Sequence, residues 1–202
     1  MLEISTAADL SPDKVASMTI TDRATICNYV YAGDFLRKKS NSGKVLDLGC
    51  GTGYGTYLMQ QATGDIVFEA IDKEEKNIAA ANKEFKQHRT TFLCRDLDTD
   101  YLPRNQDITL IVALSLLDEV EYPELLLADI YDSLCVDGVL LVSFSSLNIN
   151  RIRYPGKIPR VSFSYRDFDR LIRKRFSQVQ DVSNQKVRDG FYTSNHLYLC
   201  AR

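Results

Sequence analysis

The feature that most constrains this chain is a string of alternate glycines that follows a short apolar segment. Residues 45–48 are apolar apart from Asp47, and glycine occupies every second position from 49 to 55. Glycine tolerates positive φ and allows another molecule to approach the backbone closely. The residues after the string have helical character. An apolar strand, a glycine turn and a helix N-terminus in this order predict a cradle for a nucleotide-like ligand.

Two common nucleotide-binding motifs do not fit this string. The nicotinamide fingerprint requires glycine at the first, third and sixth positions of the turn. Counted from Gly49 or from Gly51, the sixth position is Tyr54 or Thr56. The string also lacks the lysine of a phosphate-binding loop.

The string does resemble the first motif of the class I S-adenosylmethionine-dependent methyltransferases, particularly those that act on small molecules and sugars. That motif is an apolar strand with an acid, followed by alternate glycines, and residues 45–53 match it throughout. The resemblance implies S-adenosylmethionine as cofactor and S-adenosylhomocysteine as product. The cofactor contacts that it implies in this segment come from Asp47, Gly49, Cys50, Gly51 and Gly53.

Further cofactor contacts are predicted at the ends of the next three strands. Asp72 ends the second predicted strand, where one carboxylate can accept hydrogen bonds from both ribose hydroxyls; the alternative is a helix-capping acid. The resemblance implies that Asp96 and Leu97, after the third strand, contact the adenine; the alternative for Asp96 is a loop acid. Lys73 is expected to flank the adenine, and Leu114, at the end of the fourth strand, completes the set.

Tyr29 is the one cofactor candidate before the glycine string. Members of the family often carry Arg-Tyr-x-Phe-Ala here, close to the methionine part of the cofactor, and this chain has Asn-Tyr-Val-Tyr-Ala at residues 28–32. The arginine is replaced by Asn28. Contact with the cofactor and packing in the core are therefore equally open interpretations of Tyr29.

The order of predicted elements indicates an α/β fold. Strands alternate with helices up to a fifth strand, which predicts a parallel sheet covered by helices on both faces. By resemblance we expect a three-layer sandwich with a mostly parallel, seven-stranded sheet and an antiparallel C-terminal strand. One domain is expected, with an N-terminal helical segment over 1–42, a cofactor-binding core over 43–146, and an acceptor-side loop, helix and strands over 147–202.

Charge is unevenly distributed and gives a hypothesis for the acceptor. Residues 151–175 contain nine basic residues and two acidic ones, although the formal net charge of the whole chain is −2. We expect Arg151 and Arg153, with Tyr165, to contact an anionic small-molecule or saccharide acceptor. A solvated basic helix face and an RNA-binding surface are the alternatives. The oligomeric state cannot be read from this pattern.

The chemistry expected from the resemblance is O-methylation, and the candidate bases are Glu119 and Asp118. Glu119 stands where the family often has histidine. That replacement leaves open a non-catalytic role, as a cofactor-binding sensor or a partner subunit. Five widely spaced cysteines, without a paired motif, predict reduced thiols in a cytoplasmic protein. No metal site, signal peptide or membrane association is expected.

Overall fold

The computed structural model describes residues 20–39, 43–63, 65–104, 107–144, 160–161, 163–186 and 196–202. Within these ranges the chain forms five helices and seven strands. The helices are α1 Ile20–Lys38, α2 Tyr54–Thr63, α3 Glu75–Glu84, α4 Pro123–Ser133 and α5 Tyr165–Arg173. The strands are β1 Lys44–Leu48, β2 Val67–Asp72, β3 Thr90–Cys94, β4 Ile108–Leu114, β5 Leu134–Ser143, β6 Gln178–Asp181 and β7 Leu197–Ala201.

The strands form one sheet in the order β3-β2-β1-β4-β5-β7-β6. Strands β1 to β5 pair in parallel, and β7 runs antiparallel to both β5 and β6. The predicted fold class is therefore confirmed. Between β1 and β4 the strand order reverses, and open α/β sheets bind their ligands beyond the carboxyl ends of the strands at such a point.

Both faces of the sheet are covered by helices, which explains the apolar character of the central strands. Helices α1, α2 and α3 pack on one face, where Val45 of β1 contributes to the core. Helices α4 and α5 pack on the other face, against Leu46 and Leu48. The alternation follows from the two-residue period of a strand, because successive side chains point to opposite faces. Strand β4 is almost entirely buried, as expected for a strand between two helical layers.

Strand β5 is irregular near its start, where the chain has Asp137-Gly138, a residue pair typical of turns. The strand begins at Leu134, which pairs with Ile108, whereas Leu110 pairs with Val139. The residues between Leu134 and Val139 therefore form an irregularity within the strand, and Asp137 adopts φ +65°. The Asp137-Gly138 pair therefore marks this irregularity and not a turn between two elements. Residues 145–159, after the strand, lie outside the described ranges.

All five cysteines are free thiols, and Cys27, Cys50 and Cys200 are buried. Buried, unpaired thiols agree with the pattern that the sequence predicts. In the described ranges no helix combines the length and the apolar character needed to cross a membrane.

Candidate functional site

A cleft of about 390 Å³ lies at the carboxyl ends of the central strands. One side is formed by the glycine turn after β1 and the end of β2, another by the loop after β3, and a third by the segment after β4. Eight residues predicted from sequence line it: Gly49, Gly51, Asp72, Lys73, Asp96, Leu97, Leu114 and Glu119. The fold thus brings into one cleft residues that are up to 70 positions apart in the chain.

Gly51 is the part of the glycine turn that is open to a ligand. Its φ is +55°, and a Cβ built on it would meet no atom within 4 Å. Gly53 differs, because a Cβ there would come within 2.7 Å of Ala81 and 2.8 Å of Phe92. Gly51 therefore leaves room for another molecule at the cleft, whereas Gly53 is required for close packing of the turn against α3 and β3.

Asp72 organises this turn and still offers an acceptor to a ligand. Its Oδ2 accepts a hydrogen bond from the Gly51 N–H at 2.9 Å. Its Oδ1 accepts bonds from the Glu74 N–H at 2.9 Å and from Asn77 Nδ2 at 3.1 Å. Each carboxylate oxygen has two lone pairs. Oδ2 therefore keeps one acceptor position beyond its bond to Gly51, and Asp72 lines the cleft.

Asp47 is fully buried below the glycine turn and does not line the cleft. Its Oδ1 accepts a hydrogen bond from the Tyr29 hydroxyl at 3.1 Å, and its Oδ2 accepts one from Thr56 Oγ1 at 2.6 Å. Burial raises the pKa of Asp47 to about 7, although the two hydrogen bonds act in the opposite direction. Asp47 therefore fastens α1 and α2 to the end of β1. This role differs from the direct contact that sequence suggested.

Tyr29 is likewise a core residue in this structure. It is 7% exposed, and burial, followed by the nearby Asp47 carboxylate, raises its pKa well above the usual value. Its ring packs against Gly55 of α2. Of the two interpretations left open by the sequence, the observed geometry favours core packing.

The contact between Gly55 and the Tyr29 ring gives a direct stability prediction. A Cβ on Gly55 would overlap the ring, so Gly55→Ala is expected to reduce the free energy of unfolding by about 1–3 kcal/mol. Urea unfolding measures the loss. The same substitution in a Tyr29→Leu background serves as control, because the overlapping ring atoms are then absent. An equal loss in both backgrounds would contradict the packing described here.

Of the remaining residues predicted to belong to the site, Cys50 and Asp118 are buried, whereas Glu119 lines the cleft. Cys50 is buried, its thiol lies 3.6 Å from the Gly51 carbonyl oxygen, and burial raises its pKa. Asp118 is only 3% exposed and does not line the cleft, whereas Glu119 does. Of the two carboxylates predicted as bases, Glu119 is the one placed to reach a ligand.

The basic segment is only partly described by the structure, since Arg151 and Arg153 lie outside the described ranges. Among the basic residues of this segment that are described, three contact the protein through their side chains. Arg160 pairs with Asp98, Arg173 pairs with Asp169, and the Arg175 guanidinium lies 5.4 Å from the centre of the Tyr131 ring. For Arg173 and Arg175 the geometry agrees with the alternative of a basic face on and just after α5, whereas Arg160 contacts the loop after β3.

Tyr165 lies apart from the cleft lining, at the start of α5. Its side chain is exposed, and its ring centre is 5.5 Å from that of His196. His196 stacks on Phe144, which directly follows β5. Since β7 pairs antiparallel with β5, its first residues lie at the same edge of the sheet as the cleft. Tyr165 therefore lies at the edge of the sheet that carries the cleft, on the side of β5 and β7.

Comparison with known proteins identifies relatives that share part of this chain. A malonyl-[acyl-carrier protein] O-methyltransferase of Bacillus anthracis is 29% identical over 169 residues, which cover 81% of this chain and 55% of the relative. An enzyme with the same name from Bacillus cereus is 29% identical over 100 residues, which cover 50% and 36%. The chain thus spans 36 to 55% of the length of these curated relatives.

Solved structures show how widely the fold is shared. The plantazolicin methyltransferase BpumL in complex with SAH has a TM-score of 0.69 at 15% identity, covering 96% of this chain and 91% of its own. The [4+2]-cyclase SpnF has a TM-score of 0.59 at 20% identity, covering 76% and 61%. At these identities the likeness concerns the fold.

Residues 45–138 match the sequence model of a family described as a methyltransferase domain. Over these residues the chain contains a methyltransferase domain, and its fold is that of the class I methyltransferases. The matched range starts in β1 and ends within β5, so it includes the glycine turn, Asp72, Asp96 and Glu119. This family uses S-adenosylmethionine as methyl donor.

Three observations indicate that the cleft of this methyltransferase chain can accommodate S-adenosylmethionine. The space above Gly51 is open, and Asp72 retains an acceptor position beside it. Charge gives a third indication, since the lining contains more acidic than basic side chains. The acids are Asp72, Glu74, Asp96, Asp98 and Glu119, and the bases are Lys73 and Arg95. An acidic cleft favours a positively charged ligand.

Three residues that shape this methyltransferase site were not singled out from the sequence. Asn77 orients the Asp72 carboxylate, and its position in the first turn of α3 is a signal that could have identified it. Thr56 bonds Asp47 from the start of α2. Asp98 joins two walls of the cleft through bonds to distant residues. No local pattern marks that last role.

Proposed function

We propose that this chain is an S-adenosylmethionine-dependent methyltransferase that methylates an oxygen atom of a small anionic acceptor. The observation that carries the proposal is the cleft itself. There, the open space at Gly51 and the available oxygen of Asp72 meet the loop that holds Asp96. The family match over residues 45–138 supports the same cofactor.

The cleft residues have distinct proposed roles in binding. Asp72 Oδ2 would accept a hydrogen bond from the ribose, and Asp96 and Leu97 would contact the adenine, flanked by Lys73. The backbone around Gly49 and Gly51 would receive the methionine part, close to Leu114. When bound, S-adenosylmethionine supplies a methyl group on a positively charged sulfur. The protein contributes binding, orientation and exclusion of water.

The nature of the acceptor is inferred from charge and from the curated relatives. The basic segment 151–175 has a surplus of positive charge, which would favour an anionic acceptor. The relatives are named for a malonyl group on a carrier protein, and a malonyl group ends in a carboxylate. A carboxylate is already deprotonated at neutral pH, so it needs no general base. A saccharide hydroxyl is the alternative oxygen acceptor, for which Glu119 would act as base.

Labelled methyl transfer distinguishes these acceptors. The chain would be incubated with methyl-labelled S-adenosylmethionine and, separately, a malonyl thioester, acidic sugars or RNA. We expect labelling of the malonyl thioester, with Glu119→Gln keeping at least about half of the rate because no proton must be removed. With a hydroxyl acceptor the same substitution is expected to reduce turnover by about 100-fold. Glu124→Gln, an exposed acid in the first turn of α4, is the matched control.

Other outcomes would contradict parts of the proposal. Labelling of RNA with a steep dependence on salt would favour a nucleic-acid acceptor. Tight binding of S-adenosylhomocysteine without labelling of any acceptor would favour the non-catalytic alternative. The fold alone does not establish methyl transfer, since a protein named as a [4+2]-cyclase shares it.

A further inference from the structure

Asp98 connects three segments that are far apart in the sequence. Its Oδ1 accepts a hydrogen bond from the Glu121 N–H at 2.7 Å, across 23 residues. Its Oδ2 accepts a bond from Arg160 Nη1 at 2.6 Å, across 62 residues. The Arg160 guanidinium also lies 3.9 Å from the Glu121 carboxylate. We call these contacts of Asp98, Glu121 and Arg160 the rim bridge.

The rim bridge joins opposite walls of the cleft. Asp98 belongs to the loop after β3, which continues from the predicted adenine contacts Asp96 and Leu97. Glu121 directly follows Val120, the last residue of the wall formed after β4. A second bond next to the bridge runs from the Val161 N–H to the Asp118 carbonyl oxygen at 3.3 Å. The separation of the two walls therefore depends on contacts at this rim.

The exposed fraction of each side chain indicates how firmly Asp98 and Arg160 are held in place. The Asp98 side chain is 12% exposed, whereas that of Arg160 is 50% exposed. An exposed ion pair by itself contributes little to stability. A largely buried carboxylate with both oxygens bonded is nevertheless well suited to fix local geometry. Without it, ligand binding would itself have to order the two walls, at a cost in affinity.

We propose that Asp98 and Arg160 are positioning residues that hold the walls of the cleft at the separation the cofactor requires. The bridge would slow the escape of bound cofactor without touching the reacting atoms. This inference rests on the proposed function, because it requires the cleft to bind S-adenosylmethionine. It also gives one residue of the basic segment, Arg160, a role on the cofactor side of the site.

The test compares binding of S-adenosylhomocysteine to the wild type and to Asp98→Asn, Arg160→Gln and the double variant. Asparagine can still accept the Glu121 N–H bond, so Asp98→Asn removes chiefly the charge. Each single variant is expected to raise Kd by about 5-fold, mainly through faster dissociation. The double variant is expected to bind no more weakly than either single variant, since both remove one interaction. Calorimetry gives Kd, and stopped-flow fluorescence gives the dissociation rate.

Two control substitutions separate positioning from general effects. Arg173→Gln removes an equally exposed arginine whose partner, Asp169, lies on the same helix; it should leave Kd unchanged. Arg160→Lys retains a positive charge and should recover part of the affinity. A lower melting temperature with unchanged Kd in the Asp98 and Arg160 variants would show a structural role only, and would overturn the inference.

Comparison of two ligands separates the bridge from a simple effect of charge. Arg160→Gln makes the rim more acidic, which by charge alone would favour the positively charged S-adenosylmethionine over the uncharged sulfur of S-adenosylhomocysteine. The rim bridge predicts that the affinity for both ligands falls by the same factor. A gain in affinity for S-adenosylmethionine alone would overturn the inference. If the wild type binds neither ligand, the proposed function fails. If the wild type binds and the variants match it, only this inference fails.

Discussion

Asp72→Ala is expected to weaken the binding of S-adenosylhomocysteine by about 30-fold or more, equivalent to about 2 kcal/mol. The substitution removes the oxygen proposed to accept a ribose hydroxyl, and it also removes the acceptors for Gly51, Glu74 and Asn77. The loss therefore combines a direct contact with a less ordered cradle. Isothermal titration calorimetry provides the measurement.

Two further variants separate these contributions. Asn77→Ala leaves the carboxylate in place and removes one bond that orients it, so a smaller loss is expected. Asp65→Ala removes an exposed acid whose observed hydrogen bonds are made by its backbone, and it should leave affinity unchanged. Unchanged affinity in Asp72→Ala would show that the cofactor is held elsewhere, and the cofactor assignment of Asp72 would be wrong.

The second large effect concerns the dependence of stability on pH. Burial raises the pKa of Asp47 from its ordinary value of 3.8 to about 7 in the folded protein. The folded state therefore binds this proton more tightly than the unfolded state. The resulting stabilisation is fully present below about pH 4 and is lost as the pH rises through 7. The total loss is up to about 4 kcal/mol.

Asp47→Asn tests this dependence, because asparagine has a similar shape and no charge. Its amide can accept the Tyr29 bond and donate to Thr56. We expect its free energy of unfolding, relative to wild type, to rise by about 1.4 kcal/mol per pH unit up to pH 7 and then to level off. Urea unfolding at several pH values measures the difference, with Asp65→Asn as an exposed control. A difference that is constant with pH would show that Asp47 is ionised throughout.

The fold could be predicted from sequence because its signals are local. Apolar strands, turn residues and helical spacing each depend on a few neighbours in the chain, and their order implies a parallel sheet. The positions of Asp72 and Asp96 followed in the same way, since the ends of parallel strands meet at one edge. The irregular start of β5 was not predicted, because it depends on how Leu134 and Val139 align with β4.

The roles of two aspartates required the three-dimensional structure. Asp47 lies within the recognised motif, but its partners Tyr29 and Thr56 come from two helices that pack above it. Asp98 was not singled out from the sequence. Its partner Arg160 is 62 residues away, and nothing in either local sequence links them. Contacts of this kind depend on the paths of loops, which periodicity does not determine.

The antiparallel direction of β7 has a practical consequence for such measurements. Because β7 starts beside Ser143 and ends beside Val139, Arg202 emerges at the opposite edge of the sheet from the cleft. Its backbone N–H donates to the Gly138 carbonyl oxygen at 3.0 Å, which holds it there. A tether joined after Arg202 would therefore anchor the protein to a sensor surface with the cleft facing solution. Dissociation of the cofactor could then be followed in real time without obstruction by the attachment.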